Sequence, residues 1–300
     1  MEKILISVVG PTAIGKTRLA IALAQYFETE IISADSRQFF KEMSIGTAAP
    51  TAQELSQAPH HFIHHKSIFE EYSVGDFEKE VITLLNRLFK EKDIVVMVGG
   101  SGLYVDAVTK GLDNFPQIPP LIREELNKKL EEEGLETLQK ELKVKDPEYY
   151  EKVDLNNPHR LIRALEVSLG SGQPYSSFLK NKDKERPFKT LTVGLTAERE
   201  EIYNRINHRV DVMITEGLIK EAKQLFENKD LNALQTVGYK ELFNYFEGIW
   251  NKDFAISEIK KNTRRFAKRQ LTWFKRNEKT LWFNYRTPLS TIIEAIKKDI

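Results

Sequence analysis

Short apolar runs punctuate the chain, and amphipathic stretches separate them. Ile4-Leu5-Ile6-Ser7-Val8-Val9 is apolar at every position but one and rich in β-branched residues, which predicts a strand buried on both faces of a parallel sheet. Arg18-Leu19-Ala20-Ile21-Ala22-Leu23-Ala24 follows, built mostly of good helix formers. Similar apolar runs recur at 30–34, 93–98 and 190–195. Over 74–90, apolar residues at Phe77, Val81, Leu84, Leu85 and Leu88 keep a helical spacing. Strands alternating with helices predict an α/β fold with a parallel sheet and helices on both faces.

The middle of the chain changes character. After Pro116, Pro119 and Pro120 it becomes helical and charged, and Leu126, Leu130, Leu135 and Leu138 form one apolar face over 121–142. Asp146-Pro147 starts a short helix, and Asn157-Pro158 starts another with an Asn cap and Pro at the first helical position. Arg160 and Arg163 share a face of that helix, where Glu166 offers an ordinary salt-bridge role. The polar stretch 170–184 is expected to be mobile. The pattern divides the chain into a core of 1–112 and 186–300 and a helical insertion of 113–185.

Chemistry enters between the first strand and the first helix, at Gly10-Pro11-Thr12-Ala13-Ile14-Gly15-Lys16-Thr17. Strand, G-x-x-x-x-G-K-[ST], helix is the P-loop pattern in its proper context, and makes the core P-loop NTPase-like. Glycines let backbone N–H groups wrap a phosphate, and the helix N-terminus adds partial positive charge. Lys16 supplies a mobile cation, and the Thr17 hydroxyl suits Mg²⁺ or a phosphate oxygen. A ligand-free glycine turn would not explain the Lys-Thr pair. The loop does not say which oligophosphate it takes.

Parallel strands place ligands at their carboxyl ends. The run at 30–34 ends in Asp35-Ser36-Arg37-Gln38, and the run at 93–98 ends in Gly99-Gly100-Ser101-Gly102. The P-loop, Asp35 and the glycine turn are therefore expected to meet in one crevice. P-loop ATPases usually carry an acid at the end of a hydrophobic strand to hold Mg²⁺. Here that strand ends in glycines, and its acid, Asp93, stands at the opposite end. Asp35 is the acid at a carboxyl end, although capping a following helix is a common use of Asp.

Residues 257–276 hold Lys260, Lys261, Arg264, Arg265, Lys268, Arg269, Lys275 and Arg276 against Glu258 alone, in a chain of net charge +1. Basic residues interleaved with aromatics suit phosphate contacts and base stacking. A solvated helix with Phe266, Leu271 and Trp273 turned inward is the plainer alternative. Upstream, Glu200, Glu201 and Asp211 could neutralise some of Arg199, Arg205, His208 and Arg209, so a salt-bridge role is the plainer alternative for most of them. The 300 residues contain no cysteine, which excludes disulfides and thiolate chemistry. No run approaches the ~20 apolar residues of a membrane span, and a strand at the N-terminus leaves no room for a signal peptide. A cytoplasmic location is expected.

Taken in order, these motifs resemble the tRNA dimethylallyltransferases, also called tRNA isopentenyltransferases, over nearly the whole chain. The resemblance rests on GPTAIGKT at 10–17, SADSRQFF at 33–40, GTAAPT at 46–51, HHF at 60–62 and GGSGLY at 99–104. It continues through NNPHRLIRALEV at 156–167, RINHRVDVMITEGL at 205–218, QTVGYKE at 235–241 and TRRFAKRQLTWFKR at 263–276. The absence of an added zinc-finger tail resembles the bacterial form. Ala49 stands where the family usually has Lys, which removes one phosphate or RNA contact. Ser101 replaces the usual Thr and keeps the hydroxyl, and His64-His65 departs in a variable stretch.

The resemblance implies transfer of a dimethylallyl group from dimethylallyl diphosphate to the N6 amine of the adenosine 3′-adjacent to the anticodon in tRNA. The P-loop then holds the leaving diphosphate, which accounts for the missing strand-end acid. By the same resemblance Asp35 is the candidate general base at the adenine amine, with Ser36, Arg37 and Gln38 beside it. Thr17 and Arg209 bind diphosphate with Mg²⁺. Ser101 and Arg123 lie near the RNA, and His159, Arg160, Leu161, Ile162 and Arg163 contact it. Lys268 and Arg269 belong to a helix that grips the anticodon stem-loop. A monomer with no membrane partner is expected. Two other readings stay open: a P-loop kinase acting on a nucleoside or nucleotide, and an RNA-binding protein with a purely structural P-loop.

Overall fold

The computed structural model describes residues 2–179 and 184–300. Its strands are β1 (Ile4–Val9), β2 (Ile31–Ser33), β3 (His60–His61), β4 (Ile94–Val98), β5 (Lys189–Thr196) and β6 (Leu281–Asn284). Before the middle segment come helices α1 (Lys16–Tyr26), α2 (Ala52–Leu55), α3 (Val74–Leu88) and α4 (Gly102–Thr109). The middle holds α5 (Pro120–Glu133), α6 (Leu135–Lys145), α7 (Pro147–Tyr150) and α8 (Pro158–Ser171). After it come α9 (Arg199–Glu216), α10 (Leu218–Gln224), α11 (Tyr239–Phe246), α12 (Lys252–Phe274) and α13 (Leu289–Asp299).

Two compact units emerge, one of Met1–Lys110 with Glu185–Ile300 and one of Gly111–Lys184. The first is built on a parallel sheet in the order β3-β2-β4-β1-β5-β6. β1 lies between β4 and β5, with Ile6 opposite Val96 and Leu191. All six β1 residues are buried, as an all-apolar strand requires. Ile4, Ile6 and Val8 join a cluster with Leu19 and Leu23 of α1, Ile202 and Ile206 of α9, and Ile293 of α13. Leu5 and Val9 join the opposite one, with Phe77, Val81 and Leu85 of α3 and Val108 of α4. A third cluster packs α9, α10 and α11 around Leu218, Tyr239 and Leu242, with Met43 inserted from the β2–β3 connection. Two strands escaped the sequence pattern. β3 is a pair of histidines, and β6 follows a charged turn at the sheet edge, so neither offers a run long enough to read.

The second unit packs α5, α6 and α8 around Leu126, Leu138, Leu142, Leu161, Ile162 and Leu165. One helix was expected over 121–142. The chain instead breaks at Gly134 (φ 82, ψ 176), which ends α5 and opens α6. The break lets both leucine faces meet α8, which a straight rod could not do. Asp146 caps α7 and Asn157 caps α8 with their side chains, and Pro starts both helices, as read from sequence. Leu161 and Ile162 are corrected: both are core residues, so their side chains are not available to RNA. The expected mobile stretch includes 180–183, outside the described residues; before it α8 extends to Ser171 and a 3-10 turn spans Tyr175–Phe178. Among the described residues no helix is long and apolar enough to cross a membrane.

Gly134 has no neighbour within 4 Å of where a Cβ would lie, so only its backbone angles demand glycine. Gly134→Ala is expected to destabilise the second unit by ~1–3 kcal/mol, the usual cost of a side chain in such a conformation. Hydrogen exchange of α5 and α6 amides measures it, and unchanged protection would contradict the account.

Candidate active site

The site is built at the carboxyl ends of β1, β2 and β4. After β1 the P-loop turns through Ala13 (φ 63) and Gly15 (φ 106) into α1. Lys16 opens that helix, and its Nζ donates to Pro11 O at 2.9 Å. Burial pushes its pKa down to about 8; the Asp35 charge opposes this shift and Arg209 adds to it. Two arginines one turn apart on α9 close over the loop. Arg205 Nε donates to Ala13 O at 2.8 Å, and Arg209 Nη1 reaches Thr12 Oγ1 at 3.4 Å. Burial lowers the pKa of Arg209 as well, with Asp35 pulling it back up. Among the described residues Glu200, Glu201 and Asp211 form no ion pair with either arginine, although Asp35, Glu54 and Glu216 favour the charge of Arg209. Glu201 binds Tyr285 and Arg286 instead, and Asp211 pairs with Lys260 at 2.6 Å.

Asp35 does not cap a helix, because residues 36–39 form turns. Its Oδ1 accepts from Arg37 N at 3.2 Å, an Asx-turn. Ser36 is tied to the turn after β4, its N and Oγ lying 3.0 and 3.1 Å from Ser101 Oγ. Arg37 Nη1 donates to Asn232 O and Ala233 O, both at 3.0 Å, so its guanidinium braces the fold while its flank lines a cavity. Gln38 Nε2 donates to Thr47 O and Ala48 O at 3.3 and 3.1 Å.

Gln270 is the residue the sequence reading passed over. Its Oε1 accepts from Thr12 N at 2.8 Å and its Nε2 donates to Gly100 O at 2.9 Å. One amide thus joins the P-loop, the β4 turn and α12. The available signal was its position three residues after Ala267, on the buried side of a basic helix.

Two cavities open onto this centre. One of about 850 Å³ is lined by Gly15, Lys16, Thr17, Arg205 and the small apolar residues Ala48 and Ala49. The other, of about 580 Å³, is lined by Ser36, Arg37, Ser101, Lys240, Phe266 and Arg269. Thr12, Asp35, Thr47, Ala48, Arg209 and Met213 belong to both. The donor set fits Mg²⁺ and not zinc. No cluster of three or more His, Cys, Asp or Glu exists among the described residues, whereas Mg²⁺ needs only one or two oxygen ligands beside phosphate and water. The Thr17 hydroxyl is among the oxygens that line the first cavity.

The basic stretch divides. Lys260 pairs with Asp211 and Lys261 with Glu258, whereas Lys268, Arg269, Lys275 and Arg276 form no ion pair among the described residues. Phe266 was expected inward as the plain alternative, but it is 37% exposed, with the Arg269 guanidinium 5.8 Å from its ring centre. Trp273 does pack inward, its Nε1 donating to Asp106 Oδ2 at 3.0 Å. In the second unit His159 and Arg160 are exposed. Arg163 and Arg123 approach the buried Glu166 at 3.0 and 3.8 Å, the salt-bridge role foreseen for Arg163.

Comparison with known proteins places this geometry. A family model described as IPP transferase matches residues 38–277. The chain is 59% identical to a tRNA dimethylallyltransferase of Flavobacterium johnsoniae, over 99% of this chain and 98% of the relative. It is also 59% identical to one of Christiangramia forsetii, over 100% and 99%. Among solved structures it resembles a tRNA isopentenylpyrophosphate transferase of Bacillus halodurans, with TM-score 0.72, 37% identity and coverage of 99% and 94%. It also resembles a eukaryotic dimethylallyltransferase studied acting on tRNA, with TM-score 0.78, 28% identity and coverage of 96% and 75%. Both solved relatives share the parallel α/β core, and the chain belongs to the IPP transferase family.

Proposed function

We propose that this chain moves a dimethylallyl group from dimethylallyl diphosphate to the N6 amine of the adenosine 3′-adjacent to the anticodon in tRNA. The observation that carries the reading is the meeting of two chemically different cavities at Asp35, Thr12 and Arg209. One holds the P-loop cations and small apolar side chains, which suit a short prenyl diphosphate. The other is walled by serines, basic residues and an exposed phenylalanine, which suit an unstacked base and its phosphates. The names of relatives at 59% identity over the whole chain support the same reaction. A nucleoside or nucleotide kinase is not favoured, since it would leave the second cavity and the unpaired basic residues of α12 without a task. A cytoplasmic monomer is the accompanying proposal.

In this mechanism the target base leaves the anticodon loop and enters the second cavity, as chemistry on a base requires. The bond between the allyl carbon and the diphosphate oxygen breaks while the bond from N6 to that carbon forms. Lys16, Arg209, Arg205 and the loop amides neutralise the charge growing on the departing diphosphate. Mg²⁺ held by the Thr17 hydroxyl and diphosphate oxygens would add further positive charge there. Asp35 takes the proton that N6 must lose, because an exocyclic adenine amine is too weakly basic to keep it.

Asp35→Asn keeps shape and an acceptor oxygen but cannot take the proton, so the chemical step is expected to slow by ~10²–10⁴-fold. Single-turnover rates with saturating tRNA and dimethylallyl diphosphate measure it, and a loss under about threefold would remove Asp35 as base. Lys16 gives a second test. With a pKa of about 8 in the free protein, it is mostly neutral at about pH 9, and a bound diphosphate favours its charged form. Binding at that pH should therefore take up a proton, and affinity should fall as pH rises through about 8. Calorimetry in buffers of different ionisation enthalpy detects the uptake, which Lys16→Met should abolish. Reversing the unpaired Lys268 and Arg269 to Glu should weaken tRNA binding and flatten its salt dependence, because fewer counterions are released. Equal affinity at two salt concentrations would return those residues to a solvated face.

A further inference from the structure

The segment 43–49 runs between the two cavities, and one carboxylate holds its leading N–H groups. Ser44, Ile45 and Ala49 line the first cavity, Gly46 lines the second, and Thr47 and Ala48 line both. Within the segment Ala48 N donates to Ile45 O and Ala49 N to Ser44 O, at 3.0 Å each, while Thr47 Oγ1 donates to Met43 O at 2.5 Å. These bonds make a compact turn whose leading N–H groups have no partner inside it. Glu221 of α10 supplies the partner. Its Oε2 accepts from Ser44 N at 3.0 Å and Ile45 N at 2.8 Å, and its Oε1 accepts from Gly46 N at 2.9 Å.

A fourth bond fixes the carboxylate itself, for Tyr239 Oη donates to Glu221 Oε1 at 2.6 Å. Tyr239 is fully buried, and burial together with Glu221 pushes its phenol far above the usual range, so it stays a donor. Its ring presses on Gly46, where a Cβ would lie 2.6 Å from the ring and the hydroxyl. At the far end of the turn the carbonyls of Thr47 and Ala48 accept from Gln38 Nε2. The turn is therefore stretched between an anion at its N–H end and an amide donor at its carbonyl end, the arrangement that satisfies both ends of a helical turn. Ala48 is held at φ 48, a left-handed conformation that L residues avoid unless their surroundings enforce it.

We infer that Glu221 is a positioning residue: without touching substrate, it sets the Thr47–Ala48 wall that seats both substrates and the Gln38 side chain beside Asp35. The inference rests on the proposed assignment of the two cavities to prenyl diphosphate and base. Glu221 accepts from all three N–H groups, so a neutral amide in its place sets its own donor against at least one of them. The wall then loosens on both sides at once. Interactions with parts of the substrates that do not react govern KM more than kcat.

The experiment compares Glu221→Gln, Glu221→Asp and Tyr239→Phe with the wild type in steady-state transfer from dimethylallyl diphosphate to unmodified tRNA. Glu221→Gln is expected to raise KM for both substrates at least fivefold, with a smaller change in kcat. Glu221→Asp, which keeps the charge but retracts it, should give an intermediate rise and serves where the Gln variant folds poorly. Tyr239→Phe keeps the Glu221 charge but removes the bond that fixes the carboxylate, and should raise both KM values less than Glu221→Gln does. A role in stability alone would lower the folded fraction, and with it the apparent kcat, at unchanged KM; that pattern would overturn the inference, as would equal KM rises in Tyr239→Phe. Hydrogen exchange gives a readout independent of activity: the amides of Ser44, Ile45 and Gly46 should lose protection at least tenfold in Glu221→Gln, and retained protection would overturn it. A wild type inactive with these substrates would defeat the cavity assignment instead, leaving amide exchange to judge the Glu221 contact.

Discussion

The buried amide of Gln270 is the contact on which the centre depends. Its two bonds hold the P-loop after β1 against the turn after β4 and fasten both to α12. The sheet alone brings those turns close, because β1 and β4 are paired along five residues. Pairing fixes strands, however, and not the loops beyond them. A side chain that both donates and accepts is needed to join an N–H on one loop to a carbonyl on the other, and a buried one cannot exchange those bonds for water. That same contact brings the basic helix to the P-loop, so the two cavities share a support.

Around that support the protein gathers charge of one sign. Lys16, Arg205 and Arg209 crowd the loop, and Asp35 is the acid that the first cavity and the second have in common. Burial weakens the hold of Lys16 and Arg209 on their protons, which is the cost of packing cations with little water. An anion arriving there gains from each of them, since its charge replaces the solvation they lack. The acids of α9 are directed elsewhere, to Arg286 and Lys260. Arg209 keeps the opposite charges of Asp35, Glu54 and Glu216 in its surroundings. The segment between the two cavities is held in a similar manner, one carboxylate accepting from three consecutive N–H groups.

Elements with long or repetitive signals were legible along the chain. β1 was legible because six residues buried on both faces leave a nearly unbroken apolar run, and α3 because one buried face repeats every helical turn. The P-loop was legible because its backbone geometry demands glycine and Lys-Thr at fixed spacing, and the order of the motifs pointed to the family. Contacts between partners distant in the chain left no such trace. Gln270 lies 258 residues from Thr12, and Glu221 lies 177 from Ser44. No local pattern distinguishes such side chains from ordinary surface amides and acids. The packing of α5 and α6 against α8 likewise buried the side chains of Leu161 and Ile162, and a break at one glycine turned an apparent single helix into two. A one-dimensional pattern records which face of an element is apolar. Which element covers that face, and which polar group is left pointing into the site, is fixed by how the elements pack.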